Sequence, residues 1–174
     1  SGQDFDANIT ILKCKAMDFS KELEQRVKEA IEAVPEAVAS TAKRYFLERF
    51  SEKAFDGEPW KPWGKRYKPG RGTLLVQSGA LRKSIDVDEI SARRVVITAG
   101  GDRVPYARAH NEGFSGSVVV RSHERVSKKG KPYVVKQHTR KMLVPRRRFM
   151  GESHELETLI KKDVEQLFKN TMER

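Results

Sequence analysis

The chain has 174 residues, of which 37% are hydrophobic and 34% are charged, and its net charge is +11. This length suits one domain with a substantial core, so a single domain over residues 1–174 is expected. No run approaches the ~18 uncharged apolar residues of a membrane span, so no membrane partner is predicted. The N-terminus also lacks a secretory signal pattern.

The positive charge is concentrated in the middle of the chain. Residues 57–150 carry 22 basic and 7 acidic side chains, a net charge of +15, whereas residues 1–56 and 151–174 each carry −2. Such a concentration favours an anionic partner, either nucleic acid or an acidic protein surface. The alternative is a solvated basic surface that acidic neighbours balance in an assembly.

Neither a disulfide nor a metal site is predicted. Cys14 is the only cysteine, and it is interpreted as a small hydrophobic side chain in a first strand over residues 9–15. The histidines lack ligand spacing and have no supporting cysteine or carboxylate cluster, so we expect no metal and no cofactor. They are His110, His123, His138 and His154.

Two helical segments, 18–34 and 36–54, are predicted to pack on one core. Pro35 removes a backbone donor and crowds the preceding turn, so a kink or restart is expected there. Apolar residues recur at helical intervals on both sides of it. They are Phe19, Leu23, Val27, Ala30, Ile31 and Val34, and then Val38, Ala42, Phe46 and Phe50.

A loop rich in proline, glycine and tryptophan follows, over residues 58–72. Its proline and glycine content argues against regular structure, and its aromatic residues argue against a disordered linker. We interpret Trp60 and Trp63 as anchors against the helices. The alternative is a surface on which bases stack between basic side chains.

A short helix over residues 79–85 is expected next, with Ser78 as its N-cap and with Leu81 and Ile85 on one face. Segments 86–90 and 94–99 alternate well enough to form paired strands.

A second short helix is expected over residues 106–111, closed by Gly113. It carries His110, which is a possible general base. No motif places a nucleophile or a carboxylate beside it, so we interpret it as a histidine that bonds a nearby carbonyl.

Residues 114–144, here called the arm, are predicted to form a long basic hairpin with strands near 117–126 and 133–142. A hairpin this poor in apolar residues is not stable alone, so it either extends the main sheet or settles on a neighbouring subunit. The basic residues predicted to make interactions lie on the arm and just after it. They are Arg121, Arg125, Lys128, Lys129, Lys131, Arg146, Arg147 and Arg148.

The chain ends in a strongly amphipathic segment that predicts a helix, with Ser153 as its N-cap. Its apolar residues are Leu156, Leu159, Ile160, Val164, Leu167, Phe168 and Met172. The predicted fold is therefore α+β, with a small antiparallel sheet packed against N-terminal helices and a C-terminal helix, and with the arm attached.

Three stretches together resemble a known family. They are LVQSGALRKSI at 75–85, VPYARAHNEG at 104–113 and VPRRRFMG at 144–151, in this order and after the loop WKPW at 60–63. Over residues 40–170 the chain resembles the phage virion morphogenesis family, the Mu-like and related tail-completion proteins of tailed phages. The arm is longer than the family pattern.

The resemblance implies structural work rather than catalysis, and it supplies no catalytic residues. Such proteins complete the tail or join it to the head, and related proteins form rings around the path of the genome. The implied partners are copies of the chain, other tail or neck proteins, and packaged DNA through non-specific contact. The implied location is the virion, after assembly in the bacterial cytoplasm.

Two other functions were weighed. The basic middle and the aromatic loop favour a nucleic-acid-binding module that ignores sequence. A nuclease or hydrolase would need clustered carboxylates, for which Asp86, Asp88 and Glu89 are the candidates, or His110 as a base.

Overall fold

The computed structural model describes residues 4–64 and 72–173. Its elements confirm the predicted α+β class. In chain order they are α1 (Asp4–Glu52), β1 (Ala54–Phe55), β2 (Glu58–Pro59), α2 (Ala80–Lys83), β3 (Asp86–Ser91), β4 (Arg94–Thr98), α3 (Ala107–Glu112), β5 (Phe114–Val120), β6 (His123–Val126), β7 (Pro132–Val135), β8 (His138–Val144) and α4 (His154–Met172).

Contacts divide the chain into two compact units, each drawn from separated stretches. The first unit combines most of α1 with the hairpin β3–β4 and with α4. The second unit combines the end of α1 with the short strands β1 and β2, the helices α2 and α3, and the arm. Among the described residues, no helix is both long and apolar enough to cross a membrane.

The predicted start of the chain is wrong, because α1 is one helix of 49 residues with Pro35 inside it. The predicted strand over residues 9–15, which contains Cys14, is helical. A nucleated helix propagates by one hydrogen bond per added residue, whereas a strand needs a partner. Pro35 removes one donor, and burial of Ala30 before it and Ala39 after it, at 1% and 2% exposure, holds both sides in place.

Packing of α1 against α4 forms the core of the first unit. Tyr45 is only 1% exposed, and its hydroxyl lies 2.7 Å from Ser153 Oγ and donates to Glu155 Oε2 at 3.0 Å. Further along, Thr41 donates to Asp163 Oδ2 at 2.6 Å. This hydrogen bond, aided by the nearby guanidinium of Arg44, lowers the pKa of Asp163. Polar pairs therefore fix how the two helices align.

The predicted N-cap of the C-terminal helix is confirmed. Ser153 Oγ accepts from the backbone N–H of Leu156 at 3.1 Å, while its own backbone stays extended. Ser153 is 5% exposed, so water does not readily replace this acceptor. One hydroxyl thus starts α4 and also contacts Tyr45 of α1.

We expect Ser153→Ala to lower the free energy of unfolding by about 1–2 kcal/mol, because the first turn of α4 loses its cap. Urea denaturation followed by circular dichroism measures this loss. Thr158→Ala is the matched control, since it removes an exposed hydroxyl that bonds only within the same helix. A loss for Ser153→Ala no larger than that of the control would show that the cap contributes nothing.

The middle of the chain largely follows the prediction. The strands β3 and β4 pair antiparallel from Asp86↔Thr98 to Ser91↔Arg94, as expected. The helix α2 is shorter than predicted, and its N-cap is Gly79 rather than Ser78. Gly79 has a φ of +76°, a conformation that favours glycine, so the helix starts one residue later. Leu81 is 2% exposed, which confirms that it is a buried anchor.

The arm consists of two successive two-stranded ribbons. The strands β5 and β8 pair from Phe114↔Val144 to Val120↔His138, and β6 and β7 pair from His123↔Val135 to Val126↔Pro132. Each of the two strands predicted near 117–126 and 133–142 is thus divided into two shorter strands. Neither ribbon pairs with another strand in the described part of the chain, so the arm does not extend the β3–β4 sheet.

Candidate assembly surfaces

Residues 145–151, here called the junction, receive hydrogen bonds from the tryptophan loop. Trp60 is 6% exposed, and its Nε1 donates to the carbonyl of Arg148 at 2.6 Å. In the other direction, the guanidinium of Arg147 donates to the carbonyls of Lys61 and Pro62, at 2.8 and 3.2 Å. The loop and the junction therefore hold each other, which confirms Trp60 as an anchor.

Asn111 of α3 clamps the junction from the other side. Its Oδ1 accepts from the backbone N–H groups of Phe149 and Met150, at 2.9 and 3.1 Å, and its Nδ2 donates to the carbonyl of Met150 at 3.2 Å. The backbone N–H of Arg147 also donates to the carbonyl of His110 at 2.8 Å. Three bonds from one side chain fix the junction in position and direction.

The same clamp closes the base of the arm. The arm begins directly after α3 and ends directly before the junction, so Asn111 ties its entry to its exit. At the entry Gly113 has a φ of +82°, and a Cβ there would lie 3.2 Å from the backbone nitrogen of Arg146. The two chain ends of the arm therefore meet closely, with little room for a side chain.

Aromatic packing completes the junction. Phe149 is 1% exposed, and its ring lies 5.4 Å from that of Phe50 at the end of α1, centre to centre. Phe50 in turn meets Trp60 edge-on at 5.6 Å. The guanidinium of Arg148 sits 4.6 Å from the centre of the Phe55 ring, a cation–π geometry.

These contacts distribute the eight predicted interaction residues into two groups. The arm residues and Arg146 are exposed, whereas Arg148 is half-buried and Arg147 is buried at 6% exposure. Arg147 and Arg148 thus hold the fold through the contacts described above, a role that their sequence pattern alone did not reveal. Interaction with a partner stays a prediction for the set. The exposed members are Arg121, Arg125, Lys128, Lys129, Lys131 and Arg146.

His110 lines a cleft of about 430 Å³ in the second unit, together with Trp63, Leu75, Tyr106 and Arg147. Its Nδ1 is buried and has no hydrogen-bond partner among the described residues, so the predicted bond to a carbonyl is absent at this atom. Burial, with a smaller contribution from the charge of Arg147, lowers the pKa of His110.

We expect stability to fall as the pH drops below the ordinary histidine pKa of 6.5, because the unfolded chain takes up a proton that folded His110 resists. Melting temperatures between pH 7.5 and 5.5 measure this loss, which His110→Leu should reduce. His123→Gln, on the exposed arm, is the control and should melt like the wild type. An equal pH response in wild type and His110→Leu would contradict the assignment.

The carboxylates that a nuclease would need, Asp86, Asp88 and Glu89, do not form a metal-binding cluster in the described part of the chain. Asp86 accepts a hydrogen bond from Lys43 at 2.8 Å, and this bond, with one from the backbone of Val87, lowers the pKa of Asp86. No group of three or more histidine, cysteine, aspartate or glutamate side chains that could hold a metal ion occurs among the described residues.

A model of the phage virion morphogenesis family matches residues 13–169, which is most of the chain. The chain belongs to this family. The family is structural, which gives the protein a role in building the phage particle and makes other virion proteins its partners. Comparison with curated proteins and with solved structures finds no match.

The sequence stretches that resemble the family lie close together in the fold. Two of these stretches meet at one place, because Asn111 from the second binds the backbone of Phe149 and Met150 in the third. The tryptophan loop joins them through Trp60. In this member of the family, these motifs therefore build the base of the arm.

The arm exposes large apolar side chains as well as charge. Leu143 is 78% exposed and Val126 is 70% exposed, and the remaining members of the set are also at the surface. They are Phe114, Val119, Tyr133 and Val134. The sequence pattern indicated only that the arm is poor in apolar residues. It did not indicate that these side chains form an exposed surface.

The first half of α1 carries a second exposed apolar surface. Phe19, Leu23, Val27 and Ile31, here called the α1 stripe, are 67%, 43%, 37% and 57% exposed, so their predicted burial in the core is wrong. The carbonyl of Met172, where α4 ends, accepts from Arg26. Because α4 ends beside Arg26, Phe19 and Leu23 lie beyond its cover. Val27 and Ile31 lie alongside α4 but remain exposed, whereas the neighbouring Ala30 is buried at 1% exposure.

Proposed function

We propose that the protein is a self-assembling structural subunit that completes the tail of a tailed phage or stabilises the joint between tail and head. The observation that carries the proposal is the match of residues 13–169 to the structural virion morphogenesis family. Its copies form a closed ring and contact other tail or neck proteins. The protein acts in the virion, after assembly in the bacterial cytoplasm.

The surfaces of the chain support assembly. The arm carries eight basic residues and one acidic residue, and it also exposes Leu143 and Val126 to solvent. Two-stranded ribbons are only marginally stable on their own. Covering exposed apolar side chains with a partner removes them from water and lowers the free energy of the complex. A neighbouring subunit supplies that cover. A head-to-tail contact repeated around a closed rotation gives a ring.

The test is the mass of the purified protein in solution. Light scattering behind a size-exclusion column should give a defined multiple of 19.9 kDa, with the larger species favoured as concentration rises. A single 19.9 kDa species at high concentration that also fails to join isolated phage tails would reject the proposal. Electron microscopy of phage particles that lack the protein then distinguishes tail completion from head–tail joining. Free tails beside tailless heads indicate joining, and tails of abnormal length indicate completion.

The second candidate function is nucleic-acid binding without sequence preference, favoured by the exposed cations of the arm. Neutralising about six phosphates would make the affinity fall roughly 1,000-fold or more between 50 and 200 mM salt. Fluorescence anisotropy with labelled duplex and single-stranded DNA measures this slope. No binding to either form at low salt would remove the candidate. The two functions are compatible, since a ring can also contact the genome.

A further inference from the structure

We infer that the tip of the arm of one copy docks on the α1 stripe of the next copy. The tip is defined as residues 123–135, which contain β6 and β7. The inference rests on the proposed self-assembly and names the two surfaces that form the contact.

The α1 stripe has the form of a receptor surface. Leu23, Val27 and Ile31 follow one another at intervals of four, so they form a continuous ridge along one face of the helix. Glu24, Lys28 and Glu32 line the same shallow groove, and Lys28 Nζ lies 3.9 Å from Glu32 Oε1. Around it, residues 18–36 carry six acidic and three basic side chains, a net charge of −3. The receptor is therefore apolar in its centre and acidic overall.

The tip has the complementary form. Val126 pairs directly with Pro132, and Glu124 pairs with Val134. These four residues therefore share one face of the ribbon, three of them apolar and one acidic. Val126 and Val134 are 70% and 60% exposed. The turn beyond them carries Lys128, Lys129 and Lys131, all exposed. The tip is therefore mainly apolar on one face, where Glu124 is the one charged residue, and basic at its end.

The two surfaces also agree in size. The stripe spans 12 residues of helix, or about 18 Å, whereas four residues of a strand span about 13 Å. The tip therefore lies within the length of the stripe and covers most of it. Lysines at the end of the tip then come within reach of the glutamates beside the groove.

Charge favours the tip of the arm over a second α1 helix as the partner of the α1 stripe. Two α1 stripes brought face to face would bring together two helix segments that each carry −3 over residues 18–36. The tip, with four basic residues and one acidic residue, instead brings a net charge of +3. Opposite charge at the rim sets which surfaces pair, and apolar contact at the centre supplies affinity. A contact between different surfaces also repeats from copy to copy, as a ring requires.

Cysteine cross-linking between two full-length variants tests the contact. Both variants carry Cys14→Ser, and one adds Val134→Cys while the other adds Leu23→Cys. After mixing and mild oxidation, non-reducing gels should show several-fold more covalent dimer for this pair than for two controls. The controls replace Val134→Cys by Tyr133→Cys, on the opposite face of the ribbon, or Leu23→Cys by Glu29→Cys, away from the stripe.

The outcomes separate this inference from the proposed function. Equal yields for the pair and its controls, in a protein that oligomerises, would overturn the docking while self-assembly stands. Dominant dimers of Leu23→Cys with itself would assign the stripe to α1–α1 packing and also overturn it. A protein that stays monomeric at high concentration and fails to join isolated tails would reject both proposals.

Charge reversal gives an independent test. Exchange of the three tip lysines for glutamate should shift the oligomer strongly toward monomer. Adding Glu24→Lys and Glu32→Lys to the same chain should restore assembly, because each tip again meets a stripe of opposite charge. These five side chains are exposed, so their exchange should leave the fold intact, which circular dichroism verifies. Assembly that is not restored in a folded protein would contradict the pairing.

Discussion

Phe149→Ala is expected to lower the free energy of unfolding by about 3–5 kcal/mol, the largest loss predicted for a single substitution in this protein. Phe149 is 1% exposed and packs on Phe50, which in turn meets Trp60. Removing the ring leaves a cavity where the end of α1, the tryptophan loop and the junction come together. Urea denaturation measures the loss, and repeating it at several protein concentrations separates the contribution of self-assembly.

Two comparison variants make this result specific. Phe149→Leu keeps most of the apolar volume, so it should cost clearly less than Phe149→Ala. Val119→Ala removes an apolar side chain that is 62% exposed, and we expect a change within about 0.5 kcal/mol. If Phe149→Ala cost no more than Val119→Ala, the junction would not be a core at all.

Local pattern predicted the elements whose stabilising partners lie close in sequence. The C-terminal helix begins where Ser153 and the following apolar periodicity place it. The strands β3 and β4 pair across a tight link, so alternation and spacing were sufficient to predict them. In such elements the cap or the partner strand lies a few residues away, and the sequence displays it directly.

The start of α1 shows where local pattern fails. A proline inside an apolar periodic segment reads as a break, yet the buried alanines on both sides of Pro35 hold one continuous helix. Periodicity also assigned the α1 stripe to the core. A helical face has the same spacing whether it packs within its own chain or remains exposed. Spacing therefore does not reveal where α4 ends or which side of α1 it covers.

The junction could be recognised by sequence but not explained by it. The ordered stretches indicated the family, and the match to residues 13–169 shows it. Nothing in their spacing revealed that Asn111 and the backbone of residues 149–150 meet, since 38 residues separate them. The pattern likewise grouped Arg147 with the surface arginines. Its burial follows from a loop that lies 85 residues earlier in the chain.

Asn111→Ala is expected to cost about 2–4 kcal/mol and to loosen the arm. The substitution removes the partners of the backbone N–H groups of Phe149 and Met150 and of the carbonyl of Met150. A fully buried group without a partner costs about 1–3 kcal/mol, and because this site is only partly buried, water offsets part of the sum. Because the clamp joins the entry of the arm to its exit, the amides of β5 and β8 should exchange hydrogen faster. Hydrogen exchange read by mass spectrometry measures this change.

Asn111→Asp separates the clamp from simple side-chain volume. It keeps an oxygen for the two N–H donors, while its second oxygen faces the carbonyl of Met150 and can only accept. If the two N–H bonds dominate the clamp, its cost should still lie between those of the wild type and Asn111→Ala. The arm should then keep most of its protection against exchange.

If both variants loosened the arm equally, the two N–H bonds would not be what holds it. If neither did, the position of the arm would depend on the aromatic packing around Phe149 instead. Self-assembly should follow the same order, because a tip can dock repeatedly on successive copies only when its base is fixed.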